Sequence, residues 1–156
     1  MADGTQARSA TSDDFPVLWP VATRWTDNDI YGHLNNTVYY SLMDTAINNW
    51  LIREGGLDIH GGDTIGVCVE SRCVYKASAA FPEPIHVGLR VERLGRSSVT
   101  YRLGLFAEGG KLLAEGSFTH VFVDRANRRP TPIAGTVRES LERLSPGESP
   151  GSGEGR

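Results

Sequence analysis

The chain has 156 residues, of which 39% are hydrophobic and 22% charged, with a formal net charge of −3. That length suits one domain with a real core, and the weakly acidic balance gives no general pull toward nucleic acid or an anionic membrane. No apolar run is long enough to span a bilayer. The opening MADGTQARSATSDDF lacks the apolar stretch of a secretory signal, so a cytoplasmic location is expected.

Residues 1–15 are small and polar and are expected to form a disordered tail, as is the Gly/Ser/Pro-rich SPGESPGSGEGR at 145–156. Residues 16–144 are left as one folded domain without internal repeats. Leu18 to Thr26 reads as a first strand with Pro20 near its start. A polar loop carrying Asp27, Asp29, Gly32 and His33 follows. Asn35 and Asn36 are favoured N-cap residues. Beyond them Val38, Tyr39, Leu42, Met43, Ala46, Ile47, Trp50 and Leu51 recur at spacings of three and four, the apolar stripe of a helix lying on a core. Gly55 and Gly56 mark its stop.

The texture then changes to strands. Ile65 to Ala79 is rich in Val, and Pro82 and Pro84 separate it from Ile85–Leu94, where apolar and polar residues alternate. Ser97 to Glu108 alternates again, Gly109 and Gly110 form a hairpin turn, and Lys111 to Asp124 returns. Thr136 to Leu144 reads as a short terminal helix. This order predicts an α+β fold, a long helix wrapped by a curved antiparallel sheet of five or more strands. Cys68 and Cys73 are too few for a disulfide framework. Their odd spacing places them on opposite faces of a shared strand, and buried, reduced thiols are expected.

The loop before the helix carries the densest chemistry. Asp27, Asp29 and Gly32 fit positions one, three and six of a calcium loop, but positions five and twelve would be Tyr31 and Val38, which cannot supply the required side-chain oxygens. His33 with two aspartates is too loose a set for another cation, so no metal is expected. Asp27 and Asn28 are ordinary turn formers. Asp29 lies nearer Gly32 and the helix start, where a carboxylate could face a carbonyl held by backbone N–H groups. On these residues alone it stays open between a turn residue and a catalytic one.

The stretch RWTDNDIYGHLNNTVYYSLMDTA resembles the opening signature of the hotdog-fold acyl-CoA thioesterases, in the branch that includes 4-hydroxybenzoyl-CoA thioesterase. It shares an aromatic strand end, Asp-x-Asp-x-x-Gly, a polar turn and a helical Tyr. Residues 114–133 resemble that family's last strand, and GRSS at 95–98 its strand junction near the cofactor. The resemblance runs from Leu18 to Ile133. It implies hydrolysis of an acyl-CoA, with CoA as part of the substrate and no further cofactor. It also implies homodimers, or dimers of dimers, paired sheet edge to sheet edge with active sites between subunits.

By that resemblance Asp29 carries the chemistry, as nucleophile or as general base, and Asp27 is structural. The Asn36 N–H polarises the thioester carbonyl, Gly32 and His33 shape the turn and line the pocket, and Tyr39 packs beneath. Asp44 is the weaker second-carboxylate candidate. The CoA phosphates call for cations, and Arg96 with Ser97 and Ser98, or Arg125, Arg128 and Arg129, are the candidates. A hotdog dehydratase or hydratase using His33 is one alternative, although the HxxPxxPG arrangement is missing. A non-catalytic acyl-CoA binding or sensing module is the other.

Overall fold

In the computed structural model residues 8–145 are described. The elements are β1 (Val17–Val21), α1 (Asn36–Arg53), β2 (Thr64–Tyr75), β3 (Ile85–Leu94), β4 (Ser98–Ala107), β5 (Leu112–Asp124) and α2 (Gly135–Leu144). All strand pairs are antiparallel and the sheet order is β1-β3-β4-β5-β2. Strand β4 returns directly as β5 because Gly109 and Gly110 accept the left-handed φ values of +94° and +97° that the hairpin needs. The first and second strands occupy the two edges, which is where Pro20, unable to donate to a second neighbour, is tolerated.

One face of the sheet is dry. Ile85, Val87, Leu89 and Val91 of β3 and Val99, Tyr101, Leu103 and Leu105 of β4 are all buried, as period-two alternation demands. The stripe of α1 covers this face through Tyr39, Leu42, Met43, Ala46, Ile47, Trp50 and Leu51. Met43 fills the space that a Cβ at residue 116 would need, so Gly116 lets the helix sit down on the sheet. Each fully buried aliphatic side chain here contributes on the order of 1.5–3 kcal/mol. Past Arg53 the chain is turned by Gly56 at φ +76°, and the Gly55 N–H is satisfied by the Trp50 carbonyl.

Three expectations change. The first strand stops at Val21 because Arg24–Asp27 folds instead as a 3-10 turn, with the Asp27 N–H on the Arg24 carbonyl at 2.9 Å. Cys68 is exposed and Cys73 half-exposed, since β2 is an edge strand with a bulge between Cys68 and Glu70. That bulge cancels their odd spacing: they pair with His120 and Gly116, which share one face of β5.

Part of the expected N-terminal tail is also ordered. Residues 8–15 lie across the outer sheet face, where Phe15 enters a socket formed by the paired Gly88 and Gly104. A Cβ on Gly88 would come within 2.6 Å of the ring, and Phe106 meets that ring edge-on with centroids 5.9 Å apart. Truncating Phe15 to Ala is expected to cost roughly 3 kcal/mol, read as a lower midpoint in urea. Residues 1–7 and 146–156 of the two expected tails lie outside the described residues.

Candidate active site

The site loop is a small closed hairpin. The Asp29 N–H donates to the His33 carbonyl and the Gly32 N–H to the Asp29 carbonyl, both at 3.0 Å, while Asn35 donates to the Asp27 carbonyl at 2.9 Å. Gly32 has a φ of +86°, which explains glycine at that point of the turn. The loop is anchored from outside by two hydrogen bonds: Phe81 N–H to Asn28 Oδ1 at 3.0 Å and Leu34 N–H to the Ala79 carbonyl at 2.8 Å.

The two aspartates have different surroundings. Asp27 is 2% exposed. Its carboxylate accepts the Arg24 backbone N–H at 2.7 Å and the Arg24 guanidinium at 3.0 and 3.1 Å. It is a buried, saturated brace for the 3-10 turn. Asp29 is half-buried, and among the described residues its carboxylate accepts one hydrogen bond, from the Tyr31 N–H to Oδ1 at 2.9 Å. Its Oδ2 is therefore open to a substrate or to water.

The start of α1 is equally selective. Asn35 caps it, taking the Thr37 N–H at 3.0 Å on Oδ1, and the Val38 N–H reaches the Asn35 carbonyl at 2.9 Å. Among the described residues the Asn36 N–H finds no acceptor and Asn36 is exposed, so the first turn presents a free donor at the positive end of the helix dipole. An open cleft of about 360 Å³ adjoins it, lined by Leu34, Asn36, Tyr39, Tyr75, Lys76 and neighbouring small residues. Tyr39 is buried and meets Tyr75 edge-on at 5.1 Å, and burial raises its hydroxyl above the ordinary phenol range. Asp29, Gly32 and His33 stand on the loop outside this lining, with Gly32 and His33 exposed. Asp44, one face further along α1, is exposed.

The expected phosphate-binding groups lie elsewhere. Thr64 pairs with Asp124 and Tyr75 with Ala114, so the loop holding Arg125 and Arg128 sits at the opposite end of β2 from the cleft. A strand of 12 residues at about 3.3 Å per residue puts those ends roughly 35 Å apart. Arg96, Ser97 and Ser98 share the far end, since Ser98 pairs with Val121 and the Phe122 N–H donates to the Ser97 carbonyl. Arg96 and Arg128 are exposed. Arg125 is committed otherwise: its Nε donates to the Gly62 carbonyl at 2.7 Å and Nη2 to that of Ile59 at 2.6 Å, tying down the loop before β2. Within one chain the acidic loop and the cations are not brought together.

Sequence reasoning missed Tyr75 and Lys76 of the cleft. The available signal was an aromatic and a cation closing the long strand. It also missed a buried pair between β4 and β5, away from the cleft end of the sheet. His120 is 3% and Tyr101 0% exposed, their rings meet edge-on at 5.1 Å, and neither His120 Nδ1 nor the Tyr101 hydroxyl has a hydrogen-bond partner among the described residues. Burial lowers the His120 pKa from its ordinary 6.5, partly opposed by the nearby Asp44 carboxylate. The unfolded chain therefore binds this proton better, and its contribution to stability is lost as pH falls below 6.5. The melting temperature of the wild type is expected to fall between pH 7 and pH 5 more steeply than that of His120→Phe; parallel curves would place the pH dependence elsewhere.

Among the described residues no three His, Cys, Asp or Glu side chains gather as a metal site would require, and no helix is long and apolar enough to cross a membrane. The long helix on a five-stranded curved antiparallel sheet, with a capped helix start beside an aspartate loop, is the hotdog architecture of the thioesterases. The thioesterase-like superfamily matches residues 23–141, most of the chain, and the protein belongs to it. The PA5185 protein of Pseudomonas aeruginosa strain PAO1 is similar at 49% identity and a TM-score of 0.85, over 89% of this chain and 98% of that one. The PA2801 protein of Pseudomonas aeruginosa matches at 29% identity and 0.74, over 80% and 96%. A thioesterase of Thermus thermophilus complexed with coenzyme A and Zn matches at 29% and 0.68, over 81% and 98%. No curated protein matches the chain.

Proposed function

We propose that the protein hydrolyses acyl-CoA thioesters to the free acid and CoA, as a cytoplasmic homodimer or dimer of dimers without a resident cofactor. The observation that carries this reading is the free Asn36 N–H at a helix start whose next N–H is capped by Asn35, on the same short segment as the half-open Asp29 carboxylate. In this reading the thioester oxygen takes the Asn36 N–H, and the helix dipole stabilises it as it gains negative charge. Asp29 then acts in one of two ways. As nucleophile, it adds to the carbonyl carbon, CoA thiolate leaves, and water cleaves the mixed anhydride. As general base, it takes a proton from water as that water attacks, and the proton ends on the thiolate. Either route consumes one water and yields acid and thiol.

The second element of the proposal is the dimer. Among the described residues strand β2 has a neighbour on one side only, and Val69, Val74 and Tyr75 along it are 59%, 49% and 42% exposed. A long apolar edge of this kind needs covering. Antiparallel pairing of two β2 edges about a two-fold axis lays the Thr64 end of one strand beside the Tyr75 end of the other. It thereby carries the partner subunit's Arg96, Ser97, Ser98 and Arg128 toward the cleft. The separation seen within one chain is what a shared site requires. His33 and Gly32 would shape the mouth, and Tyr39 the floor.

Incubation with crotonyl-CoA tests the chemistry. Release of free thiol supports hydrolysis. Hydration of the double bond without thiol release would assign the site to a dehydratase, and tight binding without either reaction would make it a sensor.

A further inference from the structure

The free Asn36 N–H is useful only if the peptides on both sides of Asn36 are held still, and most of what holds them is local. The loop supplies Asp27 and the helix start supplies Asn35 and Val38, all within the same short segment. Besides the Phe81 and Ala79 anchors of the loop, one contact among the described residues reaches Asn36 itself from outside the segment. The Tyr75 hydroxyl, at the end of β2 and 39 residues away in sequence, donates to the Asn36 carbonyl at 2.9 Å. The Asn36–Thr37 peptide is therefore gripped at both ends, by Tyr75 on its carbonyl and by Asn35 Oδ1 on its N–H. The free Asn36 N–H lies on the preceding peptide, whose Asn35 carbonyl takes the Val38 N–H, so Tyr75 orients it through the Asn36 backbone. Tyr39 stands edge-on to Tyr75 and keeps its ring in place.

We propose that Tyr75 is a positioning residue for the carbonyl-binding N–H of Asn36, linking the exposed sheet edge to the helix start. The inference rests on the hydrolase reading above. The geometry also joins assembly to chemistry, because the strand that ends in Tyr75 is the unpaired edge of the sheet. A neighbour pairing along β2 would stiffen the strand, and the tyrosine hydroxyl passes that order to the first helical peptide. Partial burial pushes the Tyr75 hydroxyl up to about 12, so it remains a hydrogen donor throughout the neutral and mildly alkaline range.

The test is Tyr75→Phe, which keeps the ring against Tyr39 and removes only the hydroxyl, with Tyr75→Leu as a second variant lacking both. The hydroxyl role predicts that kcat for acyl-CoA hydrolysis falls about tenfold in Tyr75→Phe, with KM, dimer content and melting temperature unchanged, and falls no less in Tyr75→Leu. A second readout does not depend on turnover. A ketone analogue of acyl-CoA, with a methylene in place of sulfur and a ¹³C carbonyl, should show its carbonyl infrared band shifted to lower frequency on wild-type protein. Much of that shift should be lost on Tyr75→Phe. An unchanged kcat with an unchanged band, or a rise in KM alone, would overturn the inference. If the wild type released no thiol from any acyl-CoA, the hydrolase reading would fall, while the band shift would still decide the role of Tyr75.

Discussion

Asp29→Asn is expected to lower kcat for acyl-CoA hydrolysis by roughly 10³-fold or more, with no measurable change in melting temperature. The two halves of that expectation have separate grounds. An amide is neither a nucleophile nor a base at neutral pH, so both routes open to Asp29 close. Among the described residues, however, the fold uses only Oδ1 of Asp29, as acceptor for the Tyr31 N–H, and the asparagine oxygen can make the same turn. Asp27→Asn should behave differently. Its buried carboxylate is held by three Arg24 contacts, and losing the charge there weakens bonds worth about 1.5–3 kcal/mol each. Activity loss accompanied by a lower melting temperature is the signature for Asp27. Activity loss without it is the signature for Asp29. Comparing the two variants by thermal melt and thiol release separates brace from reacting group.

Two defective variants are expected to restore one another. Arg96→Ala/Arg128→Ala should raise KM for acyl-CoA about tenfold by removing charge-assisted contacts to phosphate. Asp29→Asn should be inactive. If each site takes its aspartate from one subunit and its cations from the other, a mixed dimer holds one intact site and one doubly damaged site. Mixing the variants under conditions that exchange subunits should then recover wild-type KM, with kcat approaching half the wild-type value per mixed dimer. A site contained within one chain gives no recovery, since every chain carries a defect. The opposite placement of the cleft and the cations along β2 is what makes recovery the expected result.

Much of the fold was legible because it depends on local periodicity. Strand β3 spans the residues that alternation marked, the Gly109–Gly110 turn lies where two glycines require it, and α1 starts beside its Asn cap. Features set by distant neighbours were not. A register shift beyond Cys68 decides which face the two thiols share, and no single-strand pattern encodes it. Phe15 looks like the end of a polar tail until Gly88 and Gly104 are seen to meet across two strands. Arg125 reads as a free cation until the carbonyls of Ile59 and Gly62 fold against it. The loop around Asp29 was readable as a motif because its residues are contiguous. The role of Tyr75 was not legible beyond its being an aromatic at a strand end, because its partner is the backbone of a helix far away in the chain.

The most direct test is free thiol release by purified wild-type protein from a panel of short-chain, long-chain and aromatic acyl-CoAs, run beside Asp29→Asn. The account predicts saturable release of one thiol per acid formed from at least one member of the panel, with release by the variant near background. No release from any member, or equal release by the two proteins, would contradict it.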